Sequence, residues 1–295
     1  MNTLSFDRNF ERVPGRCESL SPLVRRVLCA NPSAFTFKGT NTYLVGKESL
    51  AVIDPGPDDE AHLHALLAAI GARTVSHILI THTHMDHSPL ARRLKAITGA
   101  PVYAAPLTVA GEAGGLRLDA SIDQTFTPDV DLFDGDAIAG DGFTLRCVFT
   151  PGHMSNHMAF ALAEEQALFS GDHVMAWATS IVAPPDGHMG NYMASLRKLL
   201  RRDEGVYYPG HGPERADPLP LVRGILAHRN MREQSIFRRL REGDRRIEQV
   251  VAASYADVDP RLHAAAALST RAHLEHLIEQ GRVQLAGPGL YEPVT

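Results

Sequence analysis

The spacing of apolar residues changes along the chain, and the changes predict its elements. From Thr40 to Pro55, the runs Tyr43-Leu44-Val45 and Leu50-Ala51-Val52-Ile53 flank a polar turn, which reads as a β-hairpin closing at Pro55-Gly56. Asp58 to Ile70 then places Leu63, Leu66, Leu67 and Ile70 on one helical face, with Gly71 as the stop. Ser76 to Ile80 is a short buried strand that runs straight into His82. A helix over Pro89 to Thr98 and a strand over Pro101 to Ala104 follow, then a turn-rich stretch with strand fragments from Asp119 to Gly142. Further strands are expected at Phe143 to Phe149, Met158 to Leu162, Ala167 to Ser170 and Gly205 to Tyr208. Histidine or aspartate stands just past a strand end at His82, His153, Asp172 and His211.

After Pro218 and Pro220 the pattern becomes helical, which sets an expected boundary between a domain over 1–218 and a second over 219–295. Leu221 to Glu242, Arg246 to Tyr255 and Leu268 to Gln280 read as helices. Arg282 to Leu285 and Leu290 to Pro293, around Gly287-Pro288-Gly289, read as a terminal hairpin. Three helices and a hairpin is the order of a winged-helix module. The chain has no internal repeat and no low-complexity tract.

Composition narrows the function. With 295 residues, 44% hydrophobic and 21% charged, the chain can bury a sizeable core. A net charge of −5 provides no global field for nucleic acid. Cys17, Cys29 and Cys147 are an odd number without C-x-x-C spacing, which argues against a disulfide framework or a thiolate zinc site. No run of eighteen apolar residues occurs and the N-terminal segment lacks a signal-peptide core, so the expectation is a cytoplasmic protein with no membrane partner.

The 15 histidines carry the chemistry. His82 and His84 alternate, so both imidazoles can point one way, while Asp86 and His87 follow on the next turn and can reach a second point. His153, Asp172 and His211 each follow a glycine-containing turn that lets the backbone pass close to a metal. The expected arrangement is two divalent ions: His82, His84 and His153 on one, Asp86, His87 and His211 on the other, and Asp172 between them. Imidazole with carboxylate and no thiolate suits zinc, with manganese or iron as alternatives. Two adjacent cations bring a shared water toward ionisation at neutral pH, and the bridging hydroxide is the expected nucleophile, with Asp86 as the catalytic group that orients it or takes its proton.

These seven residues resemble the ordered motifs of the metallo-β-lactamase superfamily over about Asn31 to Gly212. The resemblance implies an α+β fold, the four-layer αβ/βα sandwich, with metals at the strand edges. Gly39-Thr40-Asn41-Thr42-Tyr43-Leu44-Val45-Gly46, Tyr208-Pro209-Gly210-His211-Gly212-Pro213 and His228-Arg229-Asn230-Met231-Arg232-Glu233-Gln234 are similar to the β-lactamase-like protein 2 subgroup, whose members carry a C-terminal winged-helix extension. Asp54 resembles the superfamily aspartate that holds a ligand histidine from behind. His157 is expected to support the ligands rather than join them, and His173 is left unassigned. Tyr192 resembles a subgroup tyrosine near the pocket, though a helix anchor explains it equally. Arg229 and Arg232 share a helical face, either paired or meeting an anionic substrate.

The resulting expectation is a binuclear hydrolase of an ester, thioester or phosphodiester. Asp172, where cysteine-containing lactamases place a thiolate, argues against β-lactam hydrolysis. A glyoxalase-II-type enzyme would have only Arg229 and Arg232 for glutathione, and the second ligand set disfavours a single-iron sulfur dioxygenase. The alternative is a single-strand-specific endoribonuclease, supported by the winged-helix-like tail and seven arginines between Arg229 and Arg246. A tail that only packs, or that forms a homodimer, competes with it. The remote alternative is a metal-sensing regulator that binds nucleic acid.

Overall fold

The computed structural model describes residues 4–107, 122–255 and 263–294. Seven strands form a first sheet in chain order: β1 (Cys17–Ser19), β2 (Val24–Leu28), β3 (Asn41–Val45), β4 (Ser49–Ile53), β5 (Thr74–Ile80), β6 (Val102–Ala104) and β7 (Val130–Asp131). Pairing is antiparallel up to β4 and parallel from β4 to β7. Helices α1 (Glu60–Ile70) and α2 (Ala91–Thr98) are the crossovers that parallel pairing requires. Six strands form a second sheet: β8 (Ala137–Gly140), β9 (Phe143–Phe149), β10 (Met158–Leu162), β11 (Ala167–Gly171), β12 (Val206–Pro209) and β13 (Arg215–Ala216), with α3 (Met189–Leu199) crossing between β11 and β12.

Both faces of the central strands are buried, so their side chains alternate between two cores. Tyr43, Val45, Ala51 and Ile53 pack between the sheets against Leu145, Met158, Phe160 and Phe169. Leu44, Leu50, Val52 and Ile78 face outward onto Leu63, Leu66, Ile70 and Leu94 of α1 and α2. On the far side Ala159, Ala161, Leu168 and Tyr207 meet Met189, Tyr192, Met193 and Leu196 of α3. Helix, sheet, sheet and helix are the four expected layers.

The C-terminal segment adds α4 (Leu219–Arg241), α5 (Ile247–Ser254), α6 (His263–Glu279) and the hairpin β14 (Val283–Gly287) and β15 (Leu290–Pro293). Helix α4 serves two cores. Its Leu221, Val222 and Ile225 complete the α3 layer, while Ile236 and Leu240 pack with Val250, Leu274, Leu277, Val283 and Tyr291 in a separate cluster. Glu233, between these halves, accepts from His276 Nδ1 at 2.7 Å and lies 3.4 Å from His273 Nδ1. Burial would raise its carboxyl, but the two imidazoles outweigh burial and hold it below the ordinary glutamate range. A depressed folded value contributes stability above the ordinary pKa and loses it as pH falls through the folded one. Glu233→Gln is therefore expected to cost about 1.5–3 kcal/mol at pH 7. In thermal melts that difference shrinks below about pH 4; an equal loss at pH 3 and pH 7 would contradict it.

The sequence pattern placed most elements within about five residues but did not predict β1, β2 or β13. Asp59 caps α1 by accepting from the His62 amide at 2.7 Å, so the helix starts at Glu60 rather than Asp58. Helix α2 starts at Ala91 rather than Pro89, β5 at Thr74 rather than Ser76, and α6 at His263 rather than Leu268. Part of the expected turn-rich stretch from Asp119 lies outside the described residues; its remainder holds β7 and β8.

Candidate metal centre

The chain-exit ends of β5, β9, β11 and β12 bring His82, His153, Asp172 and His211 to one place. The turns that carry them need glycine. A Cβ on Gly210 would stand 2.3 Å from Asp172 Oδ1 and 2.7 Å from His87 Cε1, so any side chain there would displace two members of the cluster. The first sheet holds the His211 turn in place: Asn41 Nδ2 donates to Pro209 O at 3.0 Å and Gly212 O at 2.9 Å, and Tyr43 Oη donates to Pro209 O at 2.7 Å.

Six of the seven expected ligands converge as two triads, and the seventh lies between them. In the first, His84 Nδ1 lies 3.0 Å from His82 Nε2 and 3.1 Å from His153 Nε2. In the second, His211 Nε2 lies 3.1 Å from Asp86 Oδ2 and 3.3 Å from His87 Nε2, and His87 Nε2 is 3.4 Å from Asp86 Oδ2. Tetrahedral zinc with bonds of 2.0–2.1 Å sets neighbouring nitrogens about 3.3 Å apart. Asp172 Oδ2 is 3.3 Å from His211 Nε2 and 3.8 Å from His153 Nε2, and Oδ1 is 3.7 Å from His87 Nε2. Asp172 Oδ1 is buried without a hydrogen-bond partner. A buried carboxylate oxygen left this way is costly unless a cation meets it, so the residues present fit two metal ions. Asp54, His82 and His87 also lie close together, but the Asp54 oxygens are already engaged by Thr81 and His87.

The groups behind the ligands fix their tautomers. Asp54, at φ +49°, accepts from the Thr81 amide at 2.7 Å and Thr81 Oγ1 at 2.6 Å, and takes His87 Nδ1–H at 2.9 Å, which turns His87 Nε2 inward as the nitrogen open to a metal ion. His211 Nδ1 donates to Gly39 O at 3.0 Å and His153 Nδ1 to Ile181 O at 2.6 Å, with the same effect. His157 Nε2 accepts the Asp172 amide at 3.1 Å, so its Nδ1–H faces Thr150 Oγ1 at 2.8 Å and the ring steadies the backbone of Asp172. Asp54→Ala is expected to weaken metal binding at the Asp86, His87 and His211 triad by about 10- to 100-fold. Calorimetric titration of metal-free protein checks this, and an unchanged second binding event would refute it.

Electrostatics divide the two triads. Burial and the neighbouring imidazoles push His82 well below the ordinary histidine value and His84 down to about 3. Burial opposes protonation of His87 and His211 too, yet the carboxylates of Asp86 and Asp172 overcome it, raising His87 strongly and His211 to about 10. The reverse holds for Asp86 and Asp172, where the two imidazoles outweigh burial and hold both carboxyls far down.

Three expected substrate contacts do not reach the cluster. Tyr192 is fully buried, donates to His173 O at 2.9 Å and packs against the His173 ring, tilted at 52° with centres 4.6 Å apart. Arg229 is buried against Ser180 O. Arg232 donates to Ser254 O at 2.8 Å and covers the Tyr255 ring at 4.0 Å. Each of the three thus bonds a backbone carbonyl of a neighbouring element. His173 is likewise enclosed, pushed down to about 3 by burial and by His153. The sequence reading missed Thr81, Asn41 and Ser180. Thr81 had a signal, a hydroxyl next to His82 at a strand end, whereas the Gly39 and Ile181 carbonyls had none.

The sequence pattern described as Metallo-beta-lactamase superfamily matches residues 35–211, and that of the Beta-lactamase associated winged helix domain matches residues 247–288. The chain belongs to the metallo-β-lactamase superfamily and carries that winged-helix domain. It is 32% identical over 276 residues to a beta-lactamase-like protein 2 homolog of Caenorhabditis elegans, covering 90% of this chain and 88% of that protein. It is 35% identical over 231 residues to an atrochrysone carboxyl ACP thioesterase of Cryptosporiopsis sp., covering 76% of this chain and 65% of that relative's length. A beta-lactamase domain protein from Burkholderia ambifaria shares the fold with a TM-score of 0.78 at 21% identity over 96% of each chain. The superfamily membership and the metal-ligand clusters make this chain a hydrolase.

Proposed function

We propose that this chain is a two-zinc hydrolase of acyl thioesters, working in the cytoplasm, where Cys17, Cys29 and Cys147 stay reduced. The observation that carries the reading is the buried Asp172 carboxylate, set between the two triads with Oδ2 near both His211 and His153 and Oδ1 near His87. His82, His84 and His153 would hold one ion and Asp86, His87 and His211 the other. Such a pair supplies a nucleophile from water at neutral pH and polarises an acyl carbonyl. Asp86, whose side chain is 20% exposed, orients the attacking water and takes its proton. Met85, 40% exposed beside it, offers apolar contact to the acyl chain. A thiol leaving group has a pKa near 8.5, so it departs as thiolate without a dedicated strong acid. The name of the 35% identical relative points the same way.

The tail arginines that support an endoribonuclease are largely committed elsewhere. Arg229 and Arg232 bind backbone carbonyls, Arg238 and Arg239 pair with Glu242, Arg239 also with Asp244, and Arg245 donates to Leu240 O. Arg238, Arg241 and Arg246 stay exposed, with Glu242 beside Arg238 tempering their field toward a phosphate backbone. The test gives zinc-loaded protein an acyl-thioester panel, single-stranded RNA and bis-p-nitrophenyl phosphate, with Asp172→Ala as background. Thiol release in the native protein alone supports the reading; RNA cleavage that exceeds it and is lost in Asp172→Ala would replace it.

A further inference from the structure

Arg229 of α4 is 4% exposed. Its guanidinium donates to Ser180 O, lies 3.5 Å from Ser269 Oγ of α6, and sits 5.4 Å from the centre of the Tyr192 ring. Among the described residues no carboxylate pairs with it. Burying a guanidinium without a carboxylate is costly, and here the charge is directed at one backbone carbonyl. That carbonyl belongs to an irregular segment that grips Asp172 and His153. Ser180 Oγ donates to Asp172 O, and lies 3.1 Å from His173 O. The next residue, Ile181, takes the His153 Nδ1 proton at 2.6 Å. Thus the peptide joining Ser180 to Ile181 is held on one side by α4 and holds Asp172 and His153 on the other.

We propose that Arg229 is a positioning residue for the metal centre, through which the C-terminal helical segment sets the placement of Asp172 and His153. This rests on the reading that the cluster holds metal ions. It gives the tail a role that requires no nucleic acid, because without the guanidinium the 180–181 segment loses its fixed point and Asp172 and His153 lose their shared support. Arg232, three residues further along α4, donates to Ser254 O and covers the Tyr255 ring, and serves as the comparison.

The test uses full-length protein as Arg229→Met, Arg229→Lys and Arg232→Ala, each stripped and titrated with cobalt(II) while the visible d–d bands and the affinities are read. Methionine keeps the packing on Tyr192 and removes only the charged donor, so this variant is expected to fold. Its cobalt(II) affinity is expected to fall about 10- to 100-fold, the loss usual for a group that orients metal ligands, with altered d–d bands. Lysine keeps one charged donor for Ser180 O and is expected to restore both, while Arg232→Ala behaves as native. The proposal is overturned if the methionine variant binds cobalt(II) with native affinity and bands, or if Arg232→Ala weakens it as much. Should methionine prevent folding, the lysine variant decides, because a folded lysine variant with the tenfold loss also overturns the proposal. Native protein that takes up no cobalt(II) would instead refute the metal reading itself.

Discussion

Asp172→Ala is expected to lower kcat/KM for thioester hydrolysis by about 1,000-fold or more and to reduce bound metal from two ions toward one. The magnitude follows from the several kcal/mol of charge stabilisation that a metal ion supplies, at about 1.4 kcal/mol per factor of ten. Asp172 Oδ2 faces His211 and His153 while Oδ1 faces His87, so one side chain serves both triads. Alanine removes that link and leaves the six remaining donors as two groups with no carboxylate between them. Gly210→Ala tests the same point without removing any of the seven side chains, because its new Cβ would press on Asp172 Oδ1 and His87. It is expected to reproduce most of the loss. Metal content by mass spectrometry with steady-state kinetics checks both variants; an alanine at position 172 with two metals and a rate within tenfold of native would remove Asp172 from its bridging place.

Much of this arrangement was legible in the sequence because chemistry and periodicity coincide there. In β10, Met158, Phe160 and Leu162 enter one core and Ala159 and Ala161 the other, so an unbroken apolar run reads as a strand buried on both faces. The seven candidate ligand positions stood out because histidine and aspartate gather past strand ends, in one cluster over His82 to His87 and after glycine-containing turns at His153, Asp172 and His211. Strands β1 and β2 were hidden because Glu18 and Arg26 interrupt the apolar pattern. The structure shows why the charges are tolerated: Arg26 is buried between Glu18 at 2.6 Å and Glu214 at 3.0 Å. Arg229 was legible as a helical arginine but not as a buried one, since the position of Ser180 depends on a loop whose path no local pattern encodes. The supporting carbonyls of Gly39 and Ile181 were invisible for a simpler reason: every residue has a carbonyl, and only the fold selects which one meets a histidine.

Removal of metal is expected to abolish hydrolysis, and the way activity returns is expected to depend on pH differently at the two triads. His82 and His84 are held below their ordinary value, so at neutral pH they are already unprotonated and ready to bind. His87 and His211 are held above it by Asp86 and Asp172, so a cation entering there must displace protons. The sign is that of a raised folded pKa. Without metal, these imidazolium pairs contribute their full stability below about pH 6.5, and the His211 share is lost as pH rises through about 10. A cation competes best as that contribution fades, so affinity at the second triad climbs with pH by up to about tenfold per displaced proton per pH unit. Calorimetry of zinc binding to stripped protein, repeated at pH 7 in buffers of different ionisation enthalpy, counts the protons. One binding event that releases protons from His87 and His211, beside another in which His82 and His84 release none, is the expected result. Two events with identical proton release would mean that Asp86 and Asp172 do not divide the site electrostatically, and the assignment of Asp86 as the group that handles the proton of the attacking water would fall with it.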